Sequence, residues 1–202
     1  MKSIKFNGKE IQPSKVVCVG RNYVEHIKEL NNEMPTEPVI FIKPNSAISN
    51  NLHTNETEEI HYEGEICFLI NNGQIQGVGF GLDLTKRKVQ STLKNKGLPW
   101  ERAKAFDKSA VFSEFVDCGE LQSYRMELYI NNELIQVANY DLMIHKPDAL
   151  LNDITQFLTL EDGDIIMTGT PKGVGVVKLG DKFTAKLFSN DNLIIESSWT
   201  AE

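Results

Sequence analysis

Apolar residues come in short runs separated by polar turns, and most runs alternate with period two. Such alternation, with its Val, Ile, Phe and Tyr content, predicts strands at Lys15–Val19, Val39–Lys43, Glu58–Ile70, Gln76–Leu82, Arg125–Ile130, Leu134–Asn139, Asp164–Thr168, Lys182–Phe188 and Leu193–Trp199. Asn131-Asn132 lies between two of these segments and predicts a tight hairpin, because Asn adopts positive φ at low cost. Helical spacing is rarer. Thr85 to Lys96 reads as a helix, with Asp83 or Thr85 as its cap and Gly97 as its stop. Pro147 to Leu158 reads as a second, with proline in the first turn and Leu150, Leu151, Ile154, Phe157 and Leu158 on one apolar stripe. A short helix is expected from Tyr23 to Leu30, and the Asn-rich stretch from Asn45 to Asn55 reads as a loop. Many strands with few helices, out of strict alternation, argue for an α+β, mainly β architecture rather than a doubly wound sheet. No repeat, low-complexity tract or linker divides the chain, so residues 1–202 are expected to form a single domain with a short lead-in over 1–14.

Composition narrows the class. A chain of 202 residues buries roughly 70% of its unfolded surface, enough for a core without disulfides or a structural metal. The 41% hydrophobic and 24% charged content excludes disordered and fibrous chains. No run approaches the ~20 apolar residues of a membrane span, and the N-terminal residues form no apolar leader, so a cytoplasmic protein is expected. The net charge is −7 without a basic stripe, which disfavours nucleic acid as a partner. Lys86-Arg87-Lys88 with Lys94 and Lys96 reads as a solvated helix face. Cys18, Cys67 and Cys118 form no CxxC pair, so neither a zinc knuckle nor a redox dithiol is indicated. Cys18 and Cys67 sit in apolar runs and read as buried thiols.

The segment Glu59 to Phe68 carries the most chemistry. As a strand it sets Ile60, Tyr62, Ile66 and Phe68 on one face and Glu59, His61, Glu63, Glu65 and Cys67 on the other. Glu63 and Glu65 then point the same way, about 6–7 Å apart along the backbone. Like charges that close need compensation, and a divalent cation would supply it. A solvated polar face is the competing reading. Asp83 could add a third acid or simply cap the following helix. His26 and Glu29 stand i, i+3, which meet on one helix face as either a surface ion pair or an imidazole oriented as a base. Lys104 lies between Ala103 and Ala105, which leave it room. Thr168-Gly169-Thr170-Pro171-Lys172-Gly173-Val174-Gly175 has no phosphate-loop register, but its turn could offer N–H groups and hydroxyls to a small anion. No GxSxG elbow is present.

Taken together, these segments resemble the fumarylacetoacetate hydrolase family in its small, acylpyruvase-like branch. The resemblance spans about Val16 to Leu187. It rests on Val19-Gly20-Arg21-Asn22-Tyr23, Phe41-Ile42-Lys43-Pro44, His61-Tyr62-Glu63-Gly64-Glu65, Asp83-Leu84-Thr85-Lys86-Arg87-Lys88-Val89-Gln90, Lys96-Gly97-Leu98-Pro99-Trp100, Ala103-Lys104-Ala105-Phe106 and the run from Gly163 to Gly175, in that order. It implies a mixed β-sandwich roll, a homodimer, and Mg²⁺ or Mn²⁺ held by Glu63, Glu65 and Asp83. It further implies His26 and Glu29 on a lid as the base, Lys104 on the substrate, and Arg21, Lys43, Gln90 and Thr170 lining the pocket. Lys88 stands where the family often has an acid, and no counterpart of the N-terminal domain of the larger animal enzymes is present, which disfavours fumarylacetoacetate itself.

The implied substrate is a small 2-oxo acid with a second carbonyl group. Hydrolysis of the C–C bond of an acylpyruvate, giving pyruvate and a carboxylic acid, is the expected reaction. Oxaloacetate decarboxylation or tautomerisation, and isomerisation of a 2-hydroxyhepta-2,4-diene-1,7-dioate, share the same enolate and are the alternatives. A metal-dependent small-molecule binding protein is the non-enzymatic one.

Overall fold

The computed structural model describes residues 1–29, 35–55 and 57–202. Two β-sheets face each other, and the described residues add four short α-helices. The larger sheet runs in the order Val39–Pro44, Lys15–Gly20, Ile165–Met167, Gly64–Asn71, Gln74–Asp83, Ala110–Phe112 and Ile48–Ser49, with Val116–Asp117 also on Gln74–Asp83. It is mixed, because Ile165–Met167 runs parallel to Lys15–Gly20 and antiparallel to Gly64–Asn71. The smaller sheet is antiparallel, in the order Glu133–Asn139, Tyr124–Ile130, Lys182–Ser189 and Asn192–Thr200. This is the mainly β, α+β architecture that the pattern predicts and the roll that the resemblance implies.

Three apolar clusters hold the layers. Ile66, Phe68, Val78, Phe80 and Leu82 meet Met126, Leu128, Phe183, Ala185 and Leu187 across the two sheets. Tyr62 and Ile60 join that cluster, so the predicted apolar face of this segment is observed. On the far side of the large sheet Cys18, Cys67, Leu69 and Met167 pack with Phe115 and Ile4. Val17, Val19, Ile70 and Ile166 receive Leu150 and Ile154 from the helix Pro147–Ile154. The central strands are thus covered on both faces, which is why they read as nearly continuous apolar runs.

Several boundaries differ from expectation for local reasons. The long strand expected over Glu58–Ile70 breaks at Glu63. Ile60–Tyr62 joins a three-stranded sheet with Thr85–Lys86 and Gly175–Val176, and the large-sheet strand starts at Gly64. The helix expected from Thr85 is Arg87–Asn95, because Thr85–Lys86 pairs as a strand with Ile60–Tyr62. Its N-cap is Lys86, with no side-chain cap bond, so Asp83 does not cap it. Gly97 stops it at φ +63° as expected. The second helix ends at Ile154, and Phe157, 62% exposed, takes no part in its stripe. The first helix spans Val24–Glu29, and residue 30 lies outside the described residues. Glu101–Lys104 is a single helical turn, too short to show a period. The loop expected over 45–55 contains the short strand Ile48–Ser49 and buries Leu52. The lead-in forms a hairpin of Ile4–Phe6 with Lys9–Ile11. Asn131 and Asn132 turn their hairpin with φ +50° and +70°, and Asn190 and Asp191 repeat the device with +46° and +63°.

Gly77, Gly79 and Gly81 line one face of Gln74–Asp83 and let aromatic rings lie directly on the backbone. A Cβ at Gly79 would come within 2.8 Å of Phe115, whose side chain is fully buried. Gly79→Ala is therefore expected to destabilise the fold by about 1–3 kcal/mol, lowering Tm by roughly 2–12 °C in a chain of this size. Thermal unfolding followed by circular dichroism checks this, and an unchanged Tm would show that Phe115 can move aside.

Candidate active site

The paired strands Gly64–Asn71 and Gln74–Asp83 run antiparallel with Gly64 opposite Leu82, and the Asp83 N–H donates to the Glu63 carbonyl at 2.9 Å. This register brings Glu63, Glu65 and Asp83 to one corner of the sheet. Oxygens of all three carboxylates lie within 4.8 Å of one another, and the residues are only 5%, 2% and 1% exposed. They are not a solvated polar face. Removing such charges from water costs several kcal/mol each unless partners compensate.

The partners arrive from distant parts of the chain. Lys104, on the turn Glu101–Lys104, donates to Glu63 Oε2 at 2.7 Å, Asp83 Oδ2 at 2.6 Å and Thr85 Oγ1 at 2.6 Å. Arg87 binds the other oxygen of Glu63 and donates to Gln90 Oε1 at 2.7 Å. Lys43 pairs with Asp83 Oδ1 at 2.8 Å and reaches Ser109 Oγ and the carbonyls of Leu84 and Lys104. Glu65 differs. Its Oε2 accepts the Gly169 N–H at 2.7 Å, and among the described residues no ion pair reaches it. Gly169 stands at φ +97°, where a Cβ would meet Asn22 at 2.9 Å and the Val19 carbonyl at 3.0 Å, so the close approach of this N–H depends on glycine.

These surroundings push the acids apart. Burial raises Glu63, but Lys104 and Arg87 outweigh it and hold the carboxyl below its ordinary range. Burial, then the Asp83 and Glu63 charges, push Glu65 well above that range. Burial opposes the Lys104 charge, yet Asp83 and Glu63 raise it and keep the ammonium protonated. Three buried carboxylates with one uncompensated member form an all-oxygen donor set that suits Mg²⁺ or Mn²⁺.

His26 Nδ1 lies 3.1 Å from Glu29 Oε2, and the Gly173 N–H donates to the Glu29 oxygens at 3.0 and 3.3 Å. An ionised carboxylate only accepts, so Nδ1 carries the proton and Nε2 keeps a lone pair. Burial lowers His26 further than Glu63 and Glu29 raise it, so the ring is neutral at pH 7.

A narrow cleft with about 30 Å³ of free volume opens onto this corner, lined by Arg21, His26, Glu63, Glu65, Arg87, Gln90, Lys94, Trp100, Lys104 and Thr170 among others. Most of the expected site residues therefore converge. Lys43 does not line the cleft: it is fully buried beneath it, holding Asp83. Thr170 lines it with its hydroxyl committed, donating to the Gly64 carbonyl at 2.9 Å and accepting from Gln136 at 2.9 Å. The acidic groups taken by the Thr168–Gly175 turn are internal, Glu65 at the Gly169 N–H and Glu29 at the Gly173 N–H. Arg87, Lys94 and Trp100 were not expected here. Arg87 and Lys94 share a face with Gln90 at helical spacing, a signal masked by the basic cluster around them. Lys88 does point to solvent, 2.9 Å from Glu59, so its departure from the family pattern leaves the cleft untouched.

Residues 15–197 match the fumarylacetoacetate (FAA) hydrolase C-terminal family, and the chain belongs to it. It is 40% identical over 190 residues to a protein of Escherichia coli (strain K12) named oxaloacetate tautomerase YcgM, covering 85% of this chain and 87% of that one. A crystal structure of a candidate fumarylacetoacetate isomerase/hydrolase from Oleispira antarctica superposes with a TM-score of 0.94 at 36% identity, covering 100% of both chains. The fumarylpyruvate hydrolase of Pseudomonas aeruginosa, solved in complex with Mn²⁺ and pyruvate, gives 0.87 at 26% identity, covering 99% of this chain and 95% of that one. No helix among the described residues is long and apolar enough to cross a membrane.

Glu65→Gln is the cleanest probe of the carboxylate corner, because the amide still accepts the Gly169 N–H and strands no cation. The variant should fold with unchanged or raised Tm and lose the stabilisation that Mn²⁺ gives the wild type, about 2.7 kcal/mol at 100 times Kd. Thermal melts with and without Mn²⁺ read this directly. Equal Mn²⁺ stabilisation of both proteins would remove Glu65 from the metal set.

Proposed function

We propose that the protein is a divalent-metal-dependent oxaloacetate tautomerase. The observation that carries this reading is that one cleft brings a neutral braced imidazole up to a buried carboxylate triad, two of whose members are paired with cations. Keto–enol exchange moves a proton between C3 and the C2 oxygen. It needs a base at C3 and stabilisation of the enolate, but no attacking water. Glu63, Glu65 and Asp83 would hold the metal, which when bound supplies Lewis-acid stabilisation of the enolate oxygen. His26 Nε2 accepts the C3 proton and delivers it to the C2 oxygen, the reverse transfer running by the same path, while Glu29 fixes the tautomer. Lys104, protonated and with its three N–H groups committed to Glu63, Asp83 and Thr85, contributes a fixed positive charge that stabilises developing negative charge. The relative named oxaloacetate tautomerase supports this reading over the expected acylpyruvate hydrolysis, since it shares more sequence than the fumarylpyruvate hydrolase does. Hydrolysis is the second reading, favoured by the Mn²⁺ and pyruvate in that hydrolase and by the same His26–Glu29 pair, which could equally activate a water.

The test follows enol absorbance of oxaloacetate alongside pyruvate release from acetylpyruvate, each with and without Mn²⁺. Faster Mn²⁺-dependent ketonisation without pyruvate release is expected. Pyruvate release from acetylpyruvate without faster ketonisation would overturn the tautomerase reading in favour of the hydrolase.

His26 supplies a second check. Because burial lowers its pKa, the neutral base survives below the ordinary histidine range. The rate should fall only as pH drops below the ordinary histidine range. His26→Gln should reduce kcat about 10²–10⁴-fold and abolish that acid limb. A limb retained in the variant would assign it to another group.

A further inference from the structure

One polar side chain sits where the packing between the two sheets calls for an apolar one. On the strand Glu133–Asn139, Gln136 and Ala138 are buried, and Gln136 is only 1% exposed. Its ladder partner is Leu128. A Cβ on Gly64 would meet Gln136 Oε1 at 2.9 Å, Phe80 at 3.1 Å and Leu128 at 3.2 Å, so the amide lies among core side chains. A buried amide is unfavourable unless it is hydrogen-bonded, and methionine would fill the same space without that cost.

Both ends of the amide are engaged. Oε1 accepts the Gly64 N–H at 2.9 Å, and Nε2 donates to Thr170 Oγ1 at 2.9 Å and to the Pro171 carbonyl at 3.1 Å. A backbone N–H only donates and a carbonyl only accepts, so these partners fix which end is which. The Thr170 hydroxyl donates in turn to the Gly64 carbonyl at 2.9 Å, which closes a ring of three bonds. Gly64 is the residue between Glu63 and Glu65. Gln136 and Thr170 together therefore hold both of its backbone polar groups.

The same amide grips the middle of the Thr168–Gly175 turn. On one side of that grip the Gly169 N–H holds Glu65 at 2.7 Å, and on the other the Gly173 N–H holds Glu29 at 3.0 Å. Gly173 stands at φ +100°, and a Cβ there would lie 2.5 Å from the Ile135 carbonyl, so the turn rests directly on the strand that carries Gln136. Glu65 belongs to the carboxylate corner and Glu29 braces His26. One side chain of the small sheet thus reaches both.

We propose that Gln136 is a positioning residue that holds the carboxylate corner and the His26–Glu29 pair in fixed relation. This rests on the metal and base roles assigned to those groups, and not on which 2-oxo acid reacts. Partners that orient metal ligands typically carry 10- to 100-fold in metal affinity.

The test compares wild type, Gln136→Met and Ile195→Val, the last a truncation in the apolar core of the same small sheet that controls for general destabilisation. Mn²⁺ affinity is measured by titration calorimetry, and the His26 Nδ1 proton is followed by NMR of nitrogen-labelled, metal-free protein. Gln136→Met should bind Mn²⁺ about 10- to 100-fold more weakly and lose the Nδ1 proton signal to solvent exchange. Ile195→Val should keep both. Wild-type behaviour of Gln136→Met in either readout, or the same two losses in Ile195→Val, would overturn the proposal. Should Gln136→Met fail to fold, Gln136→Glu replaces it, since it keeps an acceptor for Gly64 and offers at most one donor to the turn. It should show both losses to a smaller degree, and wild-type values would overturn the proposal. Should wild type itself bind no Mn²⁺, the metal reading fails, and the Nδ1 proton alone decides whether Gln136 positions the base.

Discussion

The structure is organised around carboxylate repulsion. Three acids whose oxygens lie within 4.8 Å of one another, all buried, could not persist in a low-dielectric interior unaided. Much of the surrounding architecture answers that constraint. Lys104 lies across two of the acids, Lys43 supports one from below, Arg87 closes over another, and the turn at Gly169 turns a backbone N–H towards the third. Buried ion pairs of this kind add little net stability compared with apolar packing. The apolar clusters on both faces of the large sheet therefore carry the fold, and the charged corner is a cost they offset.

What the sequence makes legible follows from the range of the interaction. Period two places Glu63 and Glu65 on one face because that is a property of a single strand. It does not reveal that the face is buried, since burial depends on Lys104, about forty residues further on. Asp83 reads locally as a cap. Only the pairing of Gly64 with Leu82 reveals it as the end of a strand beside the glutamates. Lys43 is harder still. A fully buried lysine runs against the general rule for that side chain, and its partners, Asp83, Leu84, Lys104 and Ser109, come together only in the folded sheet. Arg87 and Lys88 are neighbours with opposite fates, because helical phase turns one inward with Gln90 and the other to Glu59. Residue types alone left these positions with alternatives. The family resemblance joined them into one set because it carries long-range information that local pattern lacks.

Within that set, hydrolysis, decarboxylation and tautomerisation share a single enolate. Tautomerisation breaks a C3–H bond, whereas decarboxylation and hydrolysis both break C3–C4, hydrolysis only after water has added at C4. On the proposed reading, His26 braced by Glu29 would serve equally as a base for water or for a C3 proton, so the dyad alone does not choose. The choice falls to what the cleft does with the rest of the substrate. A β-carboxylate leaves as CO₂ most readily when its charge is poorly stabilised, because the negative charge must move onto the enolate. A carboxylate held by a cation of the cleft wall is stabilised in the ground state, and that stabilisation is lost as CO₂ departs. Removal of a C3 proton leaves the same carboxylate charged and held throughout. A cation in the cleft wall away from the migrating proton, as Arg21 would supply, would therefore raise the barrier to decarboxylation while leaving proton transfer unpenalised. On that argument an enolate-forming site becomes a tautomerase rather than a decarboxylase through residues that never touch the migrating proton.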